Sequence, residues 1–163
     1  MDVRPAREHD LAQVNEIYNH YVRMSPCTFD IEEISMDRRR EWFTHYAETG
    51  PYRLLVAVED DEVAGFASSS RFMERKAYET STGVTVYVRD GRQGQGIGRT
   101  LYGELFRAIG GEDLHRAYAG ITVPNAGSFA LHGSFGFRQV AYFTEQGRKF
   151  GKYWDVAWFE KEL

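Results

Sequence analysis

The segment from 92 to 99, Arg-Gln-Gly-Gln-Gly-Ile-Gly-Arg, concentrates glycines between two arginines. It follows a predicted strand, Thr82–Val88, and leads into a predicted helix, Ile97–Ile109. Backbone N–H groups at a helix start lack intrahelical partners, the helix dipole adds partial positive charge, and glycines let a phosphate approach closely. The segment therefore predicts a phosphate-binding loop, formed by Gln93, Gly94, Gln95, Gly96, Ile97, Gly98 and Arg99.

The glycine spacing distinguishes this loop from two common nucleotide-binding motifs. The dinucleotide fingerprint Gly-x-Gly-x-x-Gly fails, because Arg99 occupies the position of its last glycine. The P-loop sequence Gly-Lys-Ser/Thr is absent. The alternative is a flexible turn before a helix, without any ligand. Arg92 and Arg99 favour the anion site, because guanidinium groups pair well with phosphates.

A second polar group lies on the predicted helix Asn125–Phe135. Asn125, Ser128 and His132 are spaced by three and four residues, so they share one face of that helix. Given the glycine loop, we interpret them as site residues, with His132 as the candidate proton donor. The alternative is a structural histidine and a plain N-cap. The other histidines lack comparable partners, and no metal-ligand spacing occurs, so we predict no metal.

Hydrophobic periodicity predicts the elements that must position these residues. Four helices are expected, at Glu8–Val22, Asp37–Thr49, Ile97–Ile109 and Asn125–Phe135. Seven strands are expected, at Met1–Arg4, Leu54–Val58, Val63–Ser69, Thr82–Val88, Tyr118–Val123, Phe137–Phe143 and Tyr153–Phe159. Residues 26–34 look irregular, and residues 71–79 form a polar loop. No linker or repeat divides the chain, so we predict a single domain over residues 1–163, of mixed α/β or α+β class.

Composition limits the partners and the compartment that the sequence predicts. The net charge of −4 argues against generic nucleic-acid binding, which needs a basic surface. The single cysteine, Cys27, excludes an internal disulfide and suits a reducing cytoplasm. Neither an apolar leader at the N-terminus nor a bilayer-spanning apolar run occurs, so we predict a cytoplasmic protein without a membrane partner.

The glycine loop also carries a resemblance to a known family. The run from Arg92 to Gly98 matches the pattern Gln/Arg-x-x-Gly-x-Gly/Ala of the GNAT N-acetyltransferase superfamily. The chain more closely resembles the phosphinothricin acetyltransferase branch of that superfamily, over nearly its whole length. The matching segments are Ile17–Tyr21, Phe29-Asp30, Arg75-x-Ala77-Tyr78, Thr85–Val88, Leu131-His132, Gly136-Phe137, Gly147–Gly151 and Asp155-Val156.

The resemblance implies a fold, a cofactor and roles for the residues above. It implies a central mixed, mostly antiparallel sheet flanked by helices, and an enzyme that uses acetyl-CoA. The loop from 93 to 99 then holds the pyrophosphate, while Asn125 and Ser128 contact the cofactor. Val86, Tyr87 and Val88 offer backbone groups to the pantetheine arm and to the oxyanion of the tetrahedral intermediate. His132 is expected to protonate the leaving thiolate.

The general base is where this sequence departs from the branch. The branch carries a glutamate shortly before the Thr-Val-Tyr-Val strand, and Gly83 stands at that position here. Glu79, four residues earlier, is a candidate substitute acting through a water molecule. The alternative is that Glu79 is a solvated loop carboxylate. A water chain without any protein base is a further alternative, because the acceptor amine only has to lose its proton.

The acceptor implied by the branch is a small amino-acid-like amine, such as phosphinothricin or methionine sulfoximine. Arg75, Tyr78 and Lys149 are candidates for a pocket that matches its anionic groups, with Phe29 and Phe72 as walls. The alternative for both cations is solvated surface charge. The three arginines from 38 to 40 are expected to form the exposed start of a helix, and we assign them no role.

Three functions remain open at this stage. The leading one is N-acetylation of a small amine, and the second is an acetyl-CoA-binding regulatory module with little catalysis, motivated by Gly83. The third is a protein or peptide N-acetyltransferase. A homodimer is expected, because the branch commonly dimerises and the C-terminal strands are rich in aromatic residues, with core packing as the alternative.

Overall fold

Seven strands of the computed structural model, which describes residues 1–163, form one sheet. The strands are β1 (Asp2–Pro5), β2 (Leu54–Glu59), β3 (Glu62–Arg71), β4 (Ser81–Val88), β5 (Arg116–Val123), β6 (Arg138–Lys149) and β7 (Lys152–Glu162). The helices are α1 (Leu11–Met24), α2 (Met36–Phe43), α3 (Ile97–Ile109) and α4 (Ala126–Ser134). Two short 3-10 turns, Glu8–Asp10 and Lys76–Tyr78, precede α1 and β4.

The sheet has the strand order β1-β2-β3-β4-β5-β7-β6. Its neighbours are antiparallel except for β4 and β5, which run parallel. These two strands pair only at their starts, and the last paired position joins Gly83 to Tyr118. Beyond Gly83 they separate, which opens the middle of the sheet. The predicted mixed, mostly antiparallel sheet flanked by helices is therefore confirmed.

Alternation of side chains along β4 divides the interior into two packed faces. Val84, Val86 and Val88 pack on one face, in the core that α3 covers. Tyr87 packs on the other face, in the core formed by α1 and by residues of α2. β4 is therefore the wall between two separately packed layers.

Helix α3 is the main support of the first layer. Ile97, Leu101, Leu105 and Ile109 recur every fourth residue and are all buried, as the periodicity predicts. Burial of each such side chain stabilises the fold by about 2 kcal/mol. Because this apolar stripe fixes the rotation of α3, it also fixes where the glycine loop at its start must lie.

Several predicted element boundaries are wrong in an instructive way. The last two strands extend to Lys149 and begin again at Lys152, because the hairpin continues to a tight turn at Phe150 and Gly151. Helix α2 ends at Phe43 instead of continuing to residue 49. There the Ala47 N–H donates to the Tyr52 carbonyl at 3.1 Å, so the chain already turns back toward β2.

Three further observations concern membrane-spanning helices, metal-binding clusters and the cysteine. No helix of this chain combines the length and the apolar composition that crossing a bilayer requires. No three His, Cys, Asp or Glu side chains lie together in a way that could hold a metal ion. The one cysteine, Cys27, is a free thiol.

Candidate active site

A cavity of about 620 Å³ opens where β4 and β5 separate, and we call it the large cavity. Its walls come from β4, the glycine loop, α3, the end of β5 and α4. Among the predicted cofactor-binding residues, those that line it are Val86, Tyr87, Val88, Gln93, Gly94, Gly96, Ile97, Gly98, Arg99, Asn125 and Ser128. Segments distant in the sequence are thus brought to one cavity.

The glycine loop owes its shape to backbone conformations that side chains disfavour. Gly94 and Gly96 have φ angles of +77° and +81°, in the left-handed region. Gly96 is the N-cap of α3 and provides no side-chain cap, so the first N–H groups of the helix stay free for a ligand. A Cβ atom at Gly98 would lie 3.3 Å from Leu131 Cδ2, so this glycine lets α3 pack closely against α4.

Some polar side chains of the glycine loop stabilise its conformation, and others are exposed at the large cavity. The Arg92 guanidinium donates to Gln95 Oε1 at 2.9 Å and to Glu59 Oε2 at 2.6 Å. Gln95 therefore supports Arg92, and of the predicted loop residues it is the one that does not line the large cavity. Arg99 is exposed at the cavity and forms no ion pair, so its charge is available to an anion.

Backbone groups of β4 face the gap in the sheet. The Arg89 N–H donates to the Ala64 carbonyl of β3 at 2.8 Å. In an antiparallel ladder, alternate residues bond to the same neighbour, so Tyr87 bonds toward β3 while Val86 and Val88 point the other way. The Val88 carbonyl accepts a hydrogen bond from the Tyr21 hydroxyl at 2.6 Å. The N–H groups of Val86 and Val88 therefore face the large cavity.

Asn125 serves as the N-cap of α4 and also lines the large cavity. Its Oδ1 accepts from the Ser128 N–H at 3.1 Å, which is the capping contact that the sequence analysis offered as an alternative. Because both residues also line the cavity, the structural role and the site location coincide.

His132 is buried at the large cavity and makes hydrogen bonds with both ring nitrogens. Nδ1 lies 2.8 Å from the Ser128 carbonyl, and since a carbonyl only accepts, Nδ1 carries the proton. Nε2 then accepts from the Tyr102 hydroxyl at 3.0 Å. Burial lowers the pKa of His132, which keeps the imidazole neutral. A neutral ring bonded in this way has no free proton to give.

Tyr102 is the site residue that sequence reasoning missed. Its side chain is fully buried within α3, and it lines the large cavity together with His132. Burial raises the pKa of Tyr102, so the phenol stays protonated. A signal was present, because Tyr102 lies four residues after Gly98 on the same side of α3. Its hydroxyl carries the proton that the histidine lacks.

Lys149 and Phe29, two predicted acceptor residues, meet where the last hairpin packs against the loop after α1. The Lys149 ammonium is buried and donates to the carbonyls of Ser25 and Thr28, at 2.8 Å each. The Phe29 ring lies so close to Gly147 that a Cβ atom there would be 2.2 Å from it. Lys149 is thus neither the surface charge nor the free substrate-binding cation that the sequence left open, because backbone carbonyls occupy its ammonium.

The other predicted acceptor residues lie elsewhere. Phe72 stacks on Tyr118 with the ring centroids 4.4 Å apart, and Tyr78 lies against Phe72 at 6.4 Å. Arg75 and Glu79 flank the 3-10 turn before β4, and both are exposed. None of these four predicted residues lines a cavity described here. Within one chain the structure therefore does not assemble the pocket expected from Arg75, Tyr78, Phe29, Phe72 and Lys149.

A second cavity of about 310 Å³, the small cavity, lies on the opposite face of β4. Thr85 and Tyr87 line both cavities, so one strand separates them. Arg39 lines the small cavity and is only 3% exposed, which corrects the expectation of an exposed arginine cluster. A signal existed, since Arg39 precedes Trp42 by three residues and shares its face of α2. The residues lining the small cavity are Tyr18, Asp30, Ile34, Arg38, Arg39, Trp42, Tyr46, Phe66, Ser68, Ser70, Thr85 and Tyr87.

Gly83 belongs to the face of β4 that borders the small cavity. It pairs with Ser70 of β3, and Ser68 pairs with Thr85 two residues along, so these residues share one face of the sheet. A Cβ atom at Gly83 would lie 3.6 Å from Ser70 Oγ, which is ordinary contact. A glutamate at this position would therefore fit, and it would project on the side of the small cavity.

Comparison with known proteins agrees with this arrangement. The family model for the acetyltransferase (GNAT) domain matches residues 3–158. The chain belongs to this family of acetyltransferases, as the glycine loop predicts.

Comparison with individual relatives identifies the branch of the acetyltransferase family to which the chain is most similar among those compared. The chain is 52% identical to phosphinothricin N-acetyltransferase of Streptomyces coelicolor over 165 residues, covering 100% of this chain and 96% of that protein. It is 32% identical to an L-methionine sulfoximine/L-methionine sulfone acetyltransferase of Salmonella typhimurium, covering 100% and 95%. The solved structure of a Salmonella typhimurium acetyltransferase with its cofactor acetyl-CoA superposes with a TM-score of 0.95, at 32% identity, covering 100% and 94%. The N-acetyltransferase branch predicted from sequence is confirmed.

Proposed function

We propose that this protein transfers the acetyl group of acetyl-CoA to the amino group of a small amino-acid-like acceptor, of the phosphinothricin or methionine sulfoximine type. The observation that carries the proposal is the large cavity, where separated strands meet the uncapped start of α3. The names of the relatives support the acceptor class.

The large cavity suits two parts of acetyl-CoA, the pyrophosphate and the pantetheine arm. Free N–H groups at the start of α3, together with Arg99, match the pyrophosphate. The N–H groups of Val86 and Val88 match the amides of the pantetheine arm and the oxyanion that forms at the thioester carbon. When bound, acetyl-CoA supplies an activated acyl group, and the protein supplies donors fixed in advance by strand and helix.

The pair Tyr102–His132 is the proton donor in this proposal. In the free protein the Tyr102 hydroxyl donates to His132 Nε2, which keeps it at the large cavity. It leaves that hydrogen bond to give its proton to the leaving thiolate, and the phenolate then regains a proton from solvent. The role given to His132 in the sequence analysis is thereby divided between two residues.

Neither of the two positions considered for a general base, Gly83 and Glu79, takes the amine proton in this proposal. Gly83 has no side chain, and Glu79 is exposed and lines neither cavity. An α-amino group with a pKa of about 8 loses its proton to solvent before it attacks. The rate should therefore rise with pH through neutrality, following the neutral fraction of the acceptor amine.

The direct test is a steady-state assay with acetyl-CoA against amino acids, peptides and polyamines. We expect turnover on small amino acids with an additional anionic or sulfone-type group, and little on peptides or polyamines. Tight acetyl-CoA binding without turnover on any amine would contradict the enzyme and favour a regulatory module. Turnover on peptides alone would favour a protein N-acetyltransferase.

The assembly in this proposal is a homodimer in the cytoplasm. Aromatic side chains of the last hairpin divide into two groups: Phe159 is buried, whereas Tyr142, Phe143 and Tyr153 are about half exposed. Core packing thus accounts for only part of the aromatic content, and an exposed apolar surface of this kind supports self-association. Light scattering coupled to size exclusion would give twice the mass of the 18.8 kDa chain.

A further inference from the structure

The small cavity holds a buried positive charge that the protein itself does not satisfy. The Arg39 Nε donates to Asn15 Oδ1 at 2.9 Å. Its guanidinium carbon lies 4.4 Å from the centre of the Trp42 ring and 4.8 Å from that of Tyr18. Nη2 is buried and has no hydrogen-bond partner. Buried polar groups are nearly always bonded, so a hydrogen-bond acceptor that reached this guanidinium nitrogen would be stabilised there.

Burial of the charged guanidinium of Arg39 costs free energy. Burial lowers the pKa of Arg39 from its ordinary value, because a guanidinium without a counterion loses hydration. Asp30 is the one carboxylate of the small cavity, and it already accepts from the Tyr18 hydroxyl at 2.6 Å. No ion pair joins Asp30 to Arg39, so the charge of Arg39 remains free for an anion from solution.

The charges that line the small cavity favour an anionic ligand. Arg38 and Arg39 contribute two positive charges against the one negative charge of Asp30. A guanidinium binds a carboxylate through parallel N–H bonds, which is the geometry that a planar fork prefers. A polyamine would bring more positive charge to this place, and is disfavoured. About 310 Å³ is at the lower end of small-molecule sites, so a ligand the size of an amino acid fits.

The small cavity also lies where an acceptor would have to lie. Thr85 and Tyr87 border both cavities, so a molecule bound here has only β4 between it and the large cavity. The hydroxyls of Ser68 and Thr85 lie 2.9 Å apart at this border and form a polar patch. An amino group placed at this patch would lie at the edge of β4 that the two cavities share.

We propose that the small cavity binds the acceptor amino acid, with its carboxylate on the guanidinium of Arg39 and its amino group at the Thr85 edge of β4. This inference rests on the proposed acetyl transfer and adds to it an anchoring residue for the acceptor. It also gives Arg39 Nη2 the hydrogen-bond acceptor that the protein does not supply.

The test compares two acceptors that differ only in the carboxylate, namely L-methionine sulfone and its decarboxylated amine. Wild-type protein should prefer the amino acid by about 10- to 100-fold in kcat/KM, the range expected for a hydrogen-bonded charge pair. Arg39→Met should abolish this preference, mainly through a higher KM for the amino acid. Arg39→Lys, which keeps the charge without the fork, should retain part of it.

Arg40→Met is the matched control, because Arg40 lies on the same helix but points to solvent and pairs with Asp37. It should leave the preference unchanged. Equal losses on both acceptors in Arg39→Met would show a purely structural role and overturn the inference. Equal kcat/KM for both acceptors in wild-type protein would overturn it without any variant, even if the Arg39 variants failed to fold.

Failure of the proposed function gives a different result. If wild-type protein acetylates neither acceptor, the transfer reaction is contradicted, and calorimetric titration of L-methionine sulfone in the presence of CoA then tests the small cavity alone. Binding by wild-type protein and loss of binding in Arg39→Met would support the site, and absence of binding by wild-type protein would overturn it.

Discussion

The two faces of β4 build their cavities from different parts of the polypeptide. The large cavity is made mostly of backbone: free N–H groups at the start of α3, strand groups at Val86 and Val88, and glycines that give access to them. The small cavity is made of side chains, with Arg39 and Trp42 from α2 and Tyr18 from α1. The proposed cofactor site therefore depends on one short sequence motif, whereas the small cavity depends on packing between distant elements.

This division has a functional consequence within the proposed reaction. Donors on the backbone cannot be removed by most substitutions, so the cofactor side tolerates sequence change outside its glycines. A pocket made of side chains changes with each substitution. The small cavity can therefore change its specificity for the acceptor amine while the acetyl donor stays the same. The comparison predicts that variants on the two faces affect different kinetic parameters.

The largest effect is expected from a charge placed in the glycine loop. Gly96→Asp should weaken acetyl-CoA binding at least about 1,000-fold, because a carboxylate would face the pyrophosphate, and like charges brought together cost several kcal/mol. Isothermal titration calorimetry measures this change. Gly91→Asp is the control, since Gly91 has a similar φ of +78° but does not line the large cavity. Retained binding in Gly96→Asp would contradict the phosphate site.

A smaller effect is expected from the proton donor. Tyr102→Phe keeps the ring contacts with His132 and Phe106 and removes only the hydroxyl. The kcat should fall about 100-fold while the KM for acetyl-CoA stays constant, because general acid catalysis is lost. Stopped assays with saturating acceptor measure kcat. Tyr118→Phe, a tyrosine outside both cavities, serves as the control.

His132→Ala distinguishes support from direct donation. If His132 only holds the Tyr102 hydroxyl, its removal should lower kcat less than Tyr102→Phe does. An unchanged rate in His132→Ala would remove the histidine from the mechanism.

A gain of activity tests the acceptor face of β4. Gly83→Glu places a carboxylate beside the small cavity, where a Cβ atom has room. The kcat on phosphinothricin should rise about 10-fold, since a positioned base takes over from solvent in removing the amine proton. Gly83→Gln has the same shape without a base and should show no gain. Equal rates in both variants would show that the missing carboxylate does not limit the reaction.

The smallest effect concerns pH and stability. His132 has a lower pKa in the folded chain than when unfolded, because burial disfavours the charged ring. Its contribution to stability is therefore complete above about pH 6.5 and is lost as the pH falls from there toward the folded-state pKa. Melting temperatures measured across acidic pH should decline less in His132→Gln than in wild-type protein, by a few degrees at roughly 2–4 °C per kcal/mol. His45→Gln, an exposed histidine, should follow wild type.

The sequence predicted elements well where the pattern of adjacent residues specifies them, and less well where distant residues set the boundary. Apolar residues every fourth position predicted α3 with its bounds, and alternating apolar runs predicted all seven strands. The length of the last hairpin was underestimated, because polar residues near Lys149 extend a strand without an apolar pattern. The end of α2 was misplaced, because the N–H groups of His45 and Tyr46 bond three residues back instead of four, and that of Ala47 bonds to Tyr52.

The candidate site shows the same limit more sharply. The sequence does not show whether a charged side chain is buried. Arg39 was expected at the surface and Lys149 in an acceptor pocket or at the surface, and both side chains are buried. Lys149 is satisfied by carbonyls more than a hundred residues away, and Arg39 is covered by α1. Tyr102 was not predicted as a site residue, because its partner His132 lies 30 residues further along the chain.

The sequence alone determined the order of the elements, the glycine loop at the start of α3 and the family to which the chain belongs. These features are local, since glycine conformation, helix start and strand alternation depend on adjacent residues. Only the tertiary structure decided that β4 and β5 separate beyond Gly83, that the Tyr102 hydroxyl bonds to His132 and that Nη2 of Arg39 is buried without a hydrogen-bond partner. Those features depend on contacts between side chains that are far apart in the sequence. Such contacts form only when the whole chain packs and excludes water.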